Sequence, residues 1–378
     1  MAVEPLREII VTAAHGGVSS GAVPIGGGAA IVHALLRVWG QQAPCPITLL
    51  GLGDRLTLPG VAYEQVPVAW PPGRGPADLV RLKELPYARL CREFERQVTA
   101  RILARPRPGL CVLANDLSEG PDFAALAAAG VPVVTLWHVD VVDYFCRFYL
   151  GGLDPARLAA WHRRLRASSW LPDVLRLVFS KQESCVRGSF CHVVPSSPMK
   201  TIIERCYPPA PRVEVVPWGG WDDRAEEAAV ATELVDLRQR FQLADDEIVL
   251  LTLSRISPEK GIERLLEALA IGRRRGELPT SVRLLIAGEA AFMQGQRYRC
   301  RLERLAERLP CRVDFVGYAA GARKQALWRL ADLYVFPSRH ESYGLTLAEA
   351  LRAGLPVVTT EHYSAHDLVP EGAGLIVA

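Results

Sequence analysis

No apolar run in this 378-residue sequence approaches the ~18 residues needed to cross a bilayer, so a transmembrane helix is not expected. Met1 to Ile10 also lack the continuous apolar core of a secretory leader, because Glu4, Pro5, Arg7 and Glu8 interrupt it before the short run Ile9 to Ala13. A cytoplasmic location is the expectation. The nine cysteines form no CxxC pair, and an odd count without a leader argues against a disulfide framework. Cys185, Cys191 and His192 come nearest to a metal motif, but Cys191 to Val194 reads as a buried strand, which favours packing over zinc. The acidic pairs Asp222-Asp223, Asp245-Asp246 and Asp140 with Asp143 contain no DxD arrangement, and the first two read as helix starts or turns. Neither a metal nor another cofactor is expected. Nucleic-acid signatures are absent too: residues 1–220 hold 23 Lys/Arg against 18 Asp/Glu, a weak and dispersed excess without a helix-turn-helix, zinc-finger or RNP-like pattern.

What is there is globular. With 49% hydrophobic and 22% charged residues, the length suits two domains of ordinary size. Short apolar strands alternate with longer helical patterns, the signature of parallel α/β architecture. Strands are predicted over Ile9 to Ala13, Ile47 to Leu50, Cys111 to Ala114, Val133 to Leu136 and His192 to Val194. Helices are predicted over Ala29 to Trp39, Ala88 to Leu103, Asp122 to Ala129 and Asp154 to Ala167. The rhythm restarts with strands at Ile248 to Leu253, Val282 to Ala287, Arg312 to Val316 and Leu333 to Phe336, and helices at Ile262 to Arg274, Tyr298 to Arg308 and Ala322 to Ala331. Pro208-Pro209-Ala210-Pro211 and Trp218-Gly219-Gly220-Trp221 place a hinge near residues 217–224, hence domains 1–218 and 219–378. Two doubly wound sheets facing across a cleft would hold a ligand at the carboxyl ends of their strands.

The densest chemical signal is His340-Glu341-Ser342-Tyr343-Gly344-Leu345 leading through Glu349 to Gly354-Leu355-Pro356. Helix signals open at Gly344 and close at Gly354, so Glu341 precedes the helix and Glu349 projects from its second turn. The free amides there, of Gly344 and Leu345 in particular, suit a phosphate, and the two carboxylates suit hydroxyls. After the strand ending at Leu253, Arg255 and Lys260 bring two cations to a strand-to-helix loop, and a diphosphate is their natural partner. Gly26-Gly27-Gly28 open a helix after the first strand, without forming a GxGxxG fingerprint, and let a ligand approach the backbone closely. His138 follows the strand Val133 to Leu136 at the end where a site is expected; a lone histidine there is more often structural. A basic, aromatic stretch from Tyr144 to Arg176 could rest on an anionic membrane surface, although a partly buried helix with a solvated basic side accounts for it as well.

Taken together these blocks resemble the retaining glycosyltransferases of family 4, which have the two-Rossmann GT-B fold. The resemblance rests on Pro24 to Gly28, Val133 to Leu136 with His138, Val215-Val216-Pro217-Trp218-Gly219, Ser254 to Gly261, and the pair Glu341 and Glu349. It implies a nucleotide-sugar donor, an acceptor the sequence does not name, and transfer with retained anomeric configuration and no metal. It further implies that Arg255 and Lys260 hold the diphosphate, that Glu341 binds donor-sugar hydroxyls and Glu349 the ribose, and that Tyr343, Gly344 and Leu345 line the same site. Gly27 and Gly28 would admit the diphosphate, and His138 would contact the sugar near the reacting centre. Acceptor recognition is expected in first-domain loops such as Gly51 to Gly75. The chain departs from the family pattern at Glu361-His362-Tyr363-Ser364-Ala365-His366-Asp367, where a glycine pair is usual. Relatives also continue beyond the point matching Ala378, so the sequence is expected to be a fragment. A sucrose- or trehalose-type synthase or a phosphorylase on the same scaffold, and a catalytically silent GT-B subunit binding a protein or carbohydrate partner, are the competing readings.

Overall fold

The computed structural model describes residues 5–18, 26–54, 57–165, 180–219, 225–290 and 295–378. Internal contacts divide the chain into Met1–Pro217 and Trp218–Ala378. In the first unit seven strands, β1 (Glu8–Thr12), β2 (Ile47–Gly51), β3 (Val61–Gln65), β4 (Leu110–Ala114), β5 (Val133–Leu136), β6 (Cys191–Val194) and β7 (Val213–Val215), form one sheet in the order β3-β2-β1-β4-β5-β6-β7. The second unit has β8 (Ile248–Leu253), β9 (Val282–Ala287), β10 (Arg312–Gly317), β11 (Leu333–Phe336), β12 (Val357–Thr360) and β13 (Gly374–Val377) in the order β10-β9-β8-β11-β12-β13. Neighbouring strands pair in parallel in both sheets. Each unit is therefore the doubly wound α/β layer that the alternating pattern predicts.

Strand order reverses between β1 and β4 in the first sheet and between β8 and β11 in the second. Loops leaving the two central strands diverge at such a point and open a crevice, where ligands of open α/β sheets bind. The apolar runs have the physical cause expected of parallel strands covered on both faces: all five residues of β2 and all six of β9 are buried. Burying each such Leu, Ile or Val contributes ~1.5–3 kcal/mol.

Gly51 to Gly75, read from the sequence as loop, contains β3, an edge strand with a half-exposed Val-Ala-Tyr-Glu-Gln segment that offers no apolar run. Helices Val141–Tyr149, Gln182–Gly188, Ser197–Cys206 and Glu227–Phe241 also go beyond the predicted elements. Asp140 caps the first of these, its carboxylate accepting from the Asp143 amide at 2.8 Å and from Gln182 Nε2 at 3.0 Å, while Asp143 holds Arg147 at 2.9 Å. Both carboxylates thus serve the helix. His192 is fully buried in β6, its Nδ1 2.6 Å from Thr135 Oγ1. Among the described residues no group of three or more His, Cys, Asp or Glu could hold a metal ion, and no helix is long and apolar enough to cross a membrane. Of the basic aromatic stretch, Tyr149 and Trp161 are exposed, whereas Val142 and Cys146 on the same helix as Tyr149 are buried; Arg166, Trp170 and Arg176 lie outside the described residues.

Candidate functional site

In the second unit the loops after β8 and β11 are fastened to each other by the backbone. Gly261 adopts φ +61°, and a Cβ there would lie 2.2 Å from the Pro337 carbonyl, so only glycine allows the approach. The Arg339 amide donates to the Glu259 carbonyl at 2.8 Å, and Ser338 Oγ reaches the same carbonyl at 3.2 Å. These contacts bring Lys260, from one loop, onto Glu341, from the other. Lys260 Nζ donates to Glu341 Oε1, and Ser338 Oγ lies 3.2 Å from the same oxygen. Both side chains are largely buried, at 10% and 14% exposure. Burial alone would raise the Glu341 carboxyl, but the charge and hydrogen bond of Lys260, with His362 and Arg255 further off, outweigh it and hold the group below the usual carboxylate range. Glu341 is therefore an anion at neutral pH. Arg255 sits nearer solvent, 3.9 Å from Glu259.

Gly344 caps the following helix, Leu345–Arg352, with φ +85°, and Gly354 closes it at φ +81°, as the glycine spacing predicts. The helix amides at Leu345 and beyond face outward from the Gly344 turn, giving the end of the helix a partial positive charge. Tyr343 is buried and its hydroxyl accepts from the Gly219 amide at 2.9 Å, which ties the start of this unit to the turn. Glu349, 6% exposed, is paired with Lys324 at 3.1 Å. Lys324 lies on helix Gly321–Leu330, and nothing in its sequence context marks it. His362 follows β12 and packs its ring edge-on against Phe336, with centroids 5.7 Å apart. A cavity of ≈ 520 Å³ touches Pro258 and Arg339 but none of Arg255, Lys260, Glu341 or Glu349.

In the first unit His138 Nε2 lies 3.0 Å from Asn115 Oδ1. Asn115 follows β4 at the switch point and is fully buried; its Nδ2 donates to the Gly28 carbonyl at 3.3 Å and to Asp116 Oδ2 at 3.1 Å. Because the amide nitrogen is committed to two acceptors, Oδ1 is left to accept, so His138 carries its proton on Nε2. Burial lowers the His138 imidazole to about 4, and it is neutral near pH 7. Gly28 has a packing reason as well: a Cβ there would stand 2.8 Å from His138 Cδ2. Gly27 is exposed in the same first turn, while Pro24 and Ile25 lie outside the described residues. Asn115 carries no sequence signal beyond its place after an apolar strand.

Residues 236–378 match the family of glycosyl transferases group 1. The chain is 28% identical over 222 residues to mannosylfructose-phosphate synthase of Agrobacterium fabrum, covering 55% of this chain and 47% of that one. It is 30% identical over 168 residues to the lipopolysaccharide glucosyltransferase WaaG of Escherichia coli, covering 44% and 42%. The chain thus spans about half the length of these curated relatives. Among solved structures, Alr3699/HepE of Anabaena in complex with UDP-glucose superposes with a TM-score of 0.65 at 20% identity, covering 98% of this chain and 85% of that one. That likeness gives the chain the GT-B fold. That family match lies wholly within the second unit of this chain.

Proposed function

We propose that the protein is a retaining glycosyltransferase that moves a sugar from a nucleotide-sugar donor to an acceptor without a metal ion. The observation that carries this reading is the contact of Lys260 with Glu341 at the Gly344 turn, where one cation, one anion and an open helix N-terminus meet at the strand-order reversal of the second unit. A nucleotide diphosphate would draw on Lys260, Arg255 and the Leu345 end of the helix, which together offset the charge that develops as the glycosidic bond breaks. Glu341, held as a carboxylate, would accept from donor-sugar hydroxyls, and Glu349 from ribose hydroxyls. Neutral His138, with its tautomer fixed by Asn115, suits a hydrogen bond to a sugar hydroxyl better than an ionic contact. Retention follows from the family resemblance, in which the leaving phosphate helps to deprotonate the acceptor on the same face.

The relatives' names include a glucosyltransferase and a synthase of a mannosylated sugar phosphate, which supports glycosyl transfer as the reaction class. Exposed Tyr149 and Trp161 are the side chains proposed for peripheral contact with anionic lipid, to be tested by cosedimentation with phosphatidylglycerol vesicles. The transfer itself is tested by incubating the chain with UDP-, GDP- and ADP-glucose and the corresponding mannose donors in EDTA and measuring released nucleotide. Release with one base, lost in Glu341→Gln, supports the reading; no release with any donor and no diphosphate binding contradicts it.

A further inference from the structure

His362 occupies the loop where the sequence departs from the family's glycine pair, and its surroundings are built for a cation. Its Nε2 lies 3.2 Å from Thr359 Oγ1 and its Nδ1 3.4 Å from Ser364 Oγ. Each hydroxyl has one hydrogen, and each has a backbone carbonyl to receive it. Thr359 Oγ1 donates to Phe336 O at 3.1 Å, with Thr360 O at 3.2 Å as the alternative, and Ser364 Oγ donates to Tyr343 O. Both ring nitrogens therefore face oxygen lone pairs. A neutral imidazole has one N–H and satisfies one of them; an imidazolium satisfies both. In the ligand-free protein burial keeps the ring neutral, lowering it to about 4. Among the charged and titratable groups that face it, Glu341 favours the proton, whereas Lys260, His340 and His366 oppose it.

The same ring lies directly under the phosphate-facing turn: a Cβ on Gly344 would be 3.7 Å from its Cε1. Ser364, through Tyr343 O, holds the residue before that turn. We propose that His362 is a positioning residue that takes up one proton from solvent when a nucleotide diphosphate docks at the Gly344 turn. The incoming negative charge cancels the field of Lys260 at the ring. The new Nδ1–H then donates to Ser364 Oγ and stiffens the Tyr343–Gly344 backbone against the bound phosphate. This inference rests on the donor site proposed above and adds a proton to its binding step.

Binding of UDP, GDP and ADP is measured by calorimetry from pH 5 to 7.5 in buffers of different ionisation enthalpy, for wild type, His362→Gln and His362→Asn. For the diphosphate that binds, wild type is expected to take up close to one proton more than either variant near pH 6. Its affinity should gain roughly 100-fold more than theirs between pH 7.5 and 5. Subtracting the variants removes the titration of the nucleotide itself. Ring-¹⁵N spectra of the wild type give the same answer without a substitution: both nitrogens of His362 should move to imidazolium positions on binding at pH 6. Tight binding with equal proton uptake in all three proteins, or a ring that stays neutral in the complex, overturns the role of His362 and leaves the donor site standing. No binding of any diphosphate to wild type overturns the donor site and this inference with it.

Discussion

Replacing Glu341 by Gln should move diphosphate affinity and turnover in opposite directions. In the free protein the Lys260 ammonium is engaged by Glu341 within a largely buried contact, so an arriving diphosphate must share that cation with a resident carboxylate. Two unit charges ~4 Å apart at an effective dielectric of ~20 interact by about 4 kcal/mol, and a hydrogen bond to a charged group contributes ~1.5–3 kcal/mol net. Glutamine keeps the shape and can still accept from Lys260, but it removes the competing charge and its repulsion of phosphate. If half of the lower figure is recovered, binding of the bare nucleotide diphosphate tightens by ~3–10-fold. Donor turnover should fall instead, because the sugar hydroxyls lose a charged acceptor whose grip strengthens as the bond breaks, a loss of ~10–100-fold in kcat/KM. Calorimetry with the diphosphate and nucleotide release from the sugar donor read the two effects separately. A parallel loss of affinity and turnover would refute the reasoning, since it would mean that Glu341 supports the phosphate site rather than competing with it.

Lys324→Ala should leave Glu349 buried beside an empty position and destabilise the second unit by about 3 kcal/mol, visible as a fall of several degrees in its melting transition; an unchanged transition would show that the pair is not the main support of that carboxylate. Gly28→Ala should displace the His138 ring, from which the new Cβ would stand 2.8 Å, and lower donor turnover while the far-ultraviolet spectrum stays intact. Gly261→Ala combines a left-handed backbone with a 2.2 Å clash on Pro337 O, so it should weaken diphosphate binding by parting the two loops that hold Lys260 against Glu341. His138, His192 and His362 are each lowered by burial to about 4. For a base depressed in the fold, protonation favours the unfolded chain, so stability is full above pH ~6.5 and declines as pH falls from there towards 4. Denaturant midpoints across that window should drop at a slope that His192→Gln reduces.

The strand and helix rhythm was legible because parallel strands buried on both faces are dominated by apolar residues, as β2 and β9 are, with Thr48 and Arg283 as their polar members. Helix Ile262–Arg274 was readable to its last residue, since Gly261 opens it and its buried Ile262, Leu265, Leu266 and Leu269 recur at helical spacing. Edge strand β3 was not, because a strand exposed on one side needs no apolar run and its Tyr63 and Glu64 look like loop residues. At the site, residue types announced Arg255, Lys260, Glu341 and Gly344, but not who meets whom. Lys260 meets Glu341 through a long-range loop contact that hinges on Gly261 and Pro337, and Lys324 reaches Glu349 from a different helix. Asn115 was silent for the same reason: its partners, Gly28 and His138, come from elements far away in sequence. His362 was visible only as a departure from a pattern, and its two hydroxyl neighbours become meaningful once their hydrogens are traced to carbonyls.

The proposed diphosphate site of the second unit rests on Lys260 and Arg255. Its most direct test is calorimetric titration of the chain with UDP, GDP and ADP in the presence of EDTA, for wild type, Lys260→Ala and Arg255→Ala. Saturable binding of one of the three to wild type is expected, with at least a ~10-fold loss in each variant, the size expected when a phosphate loses a charge-assisted partner. Binding that both variants retain at full strength would contradict it.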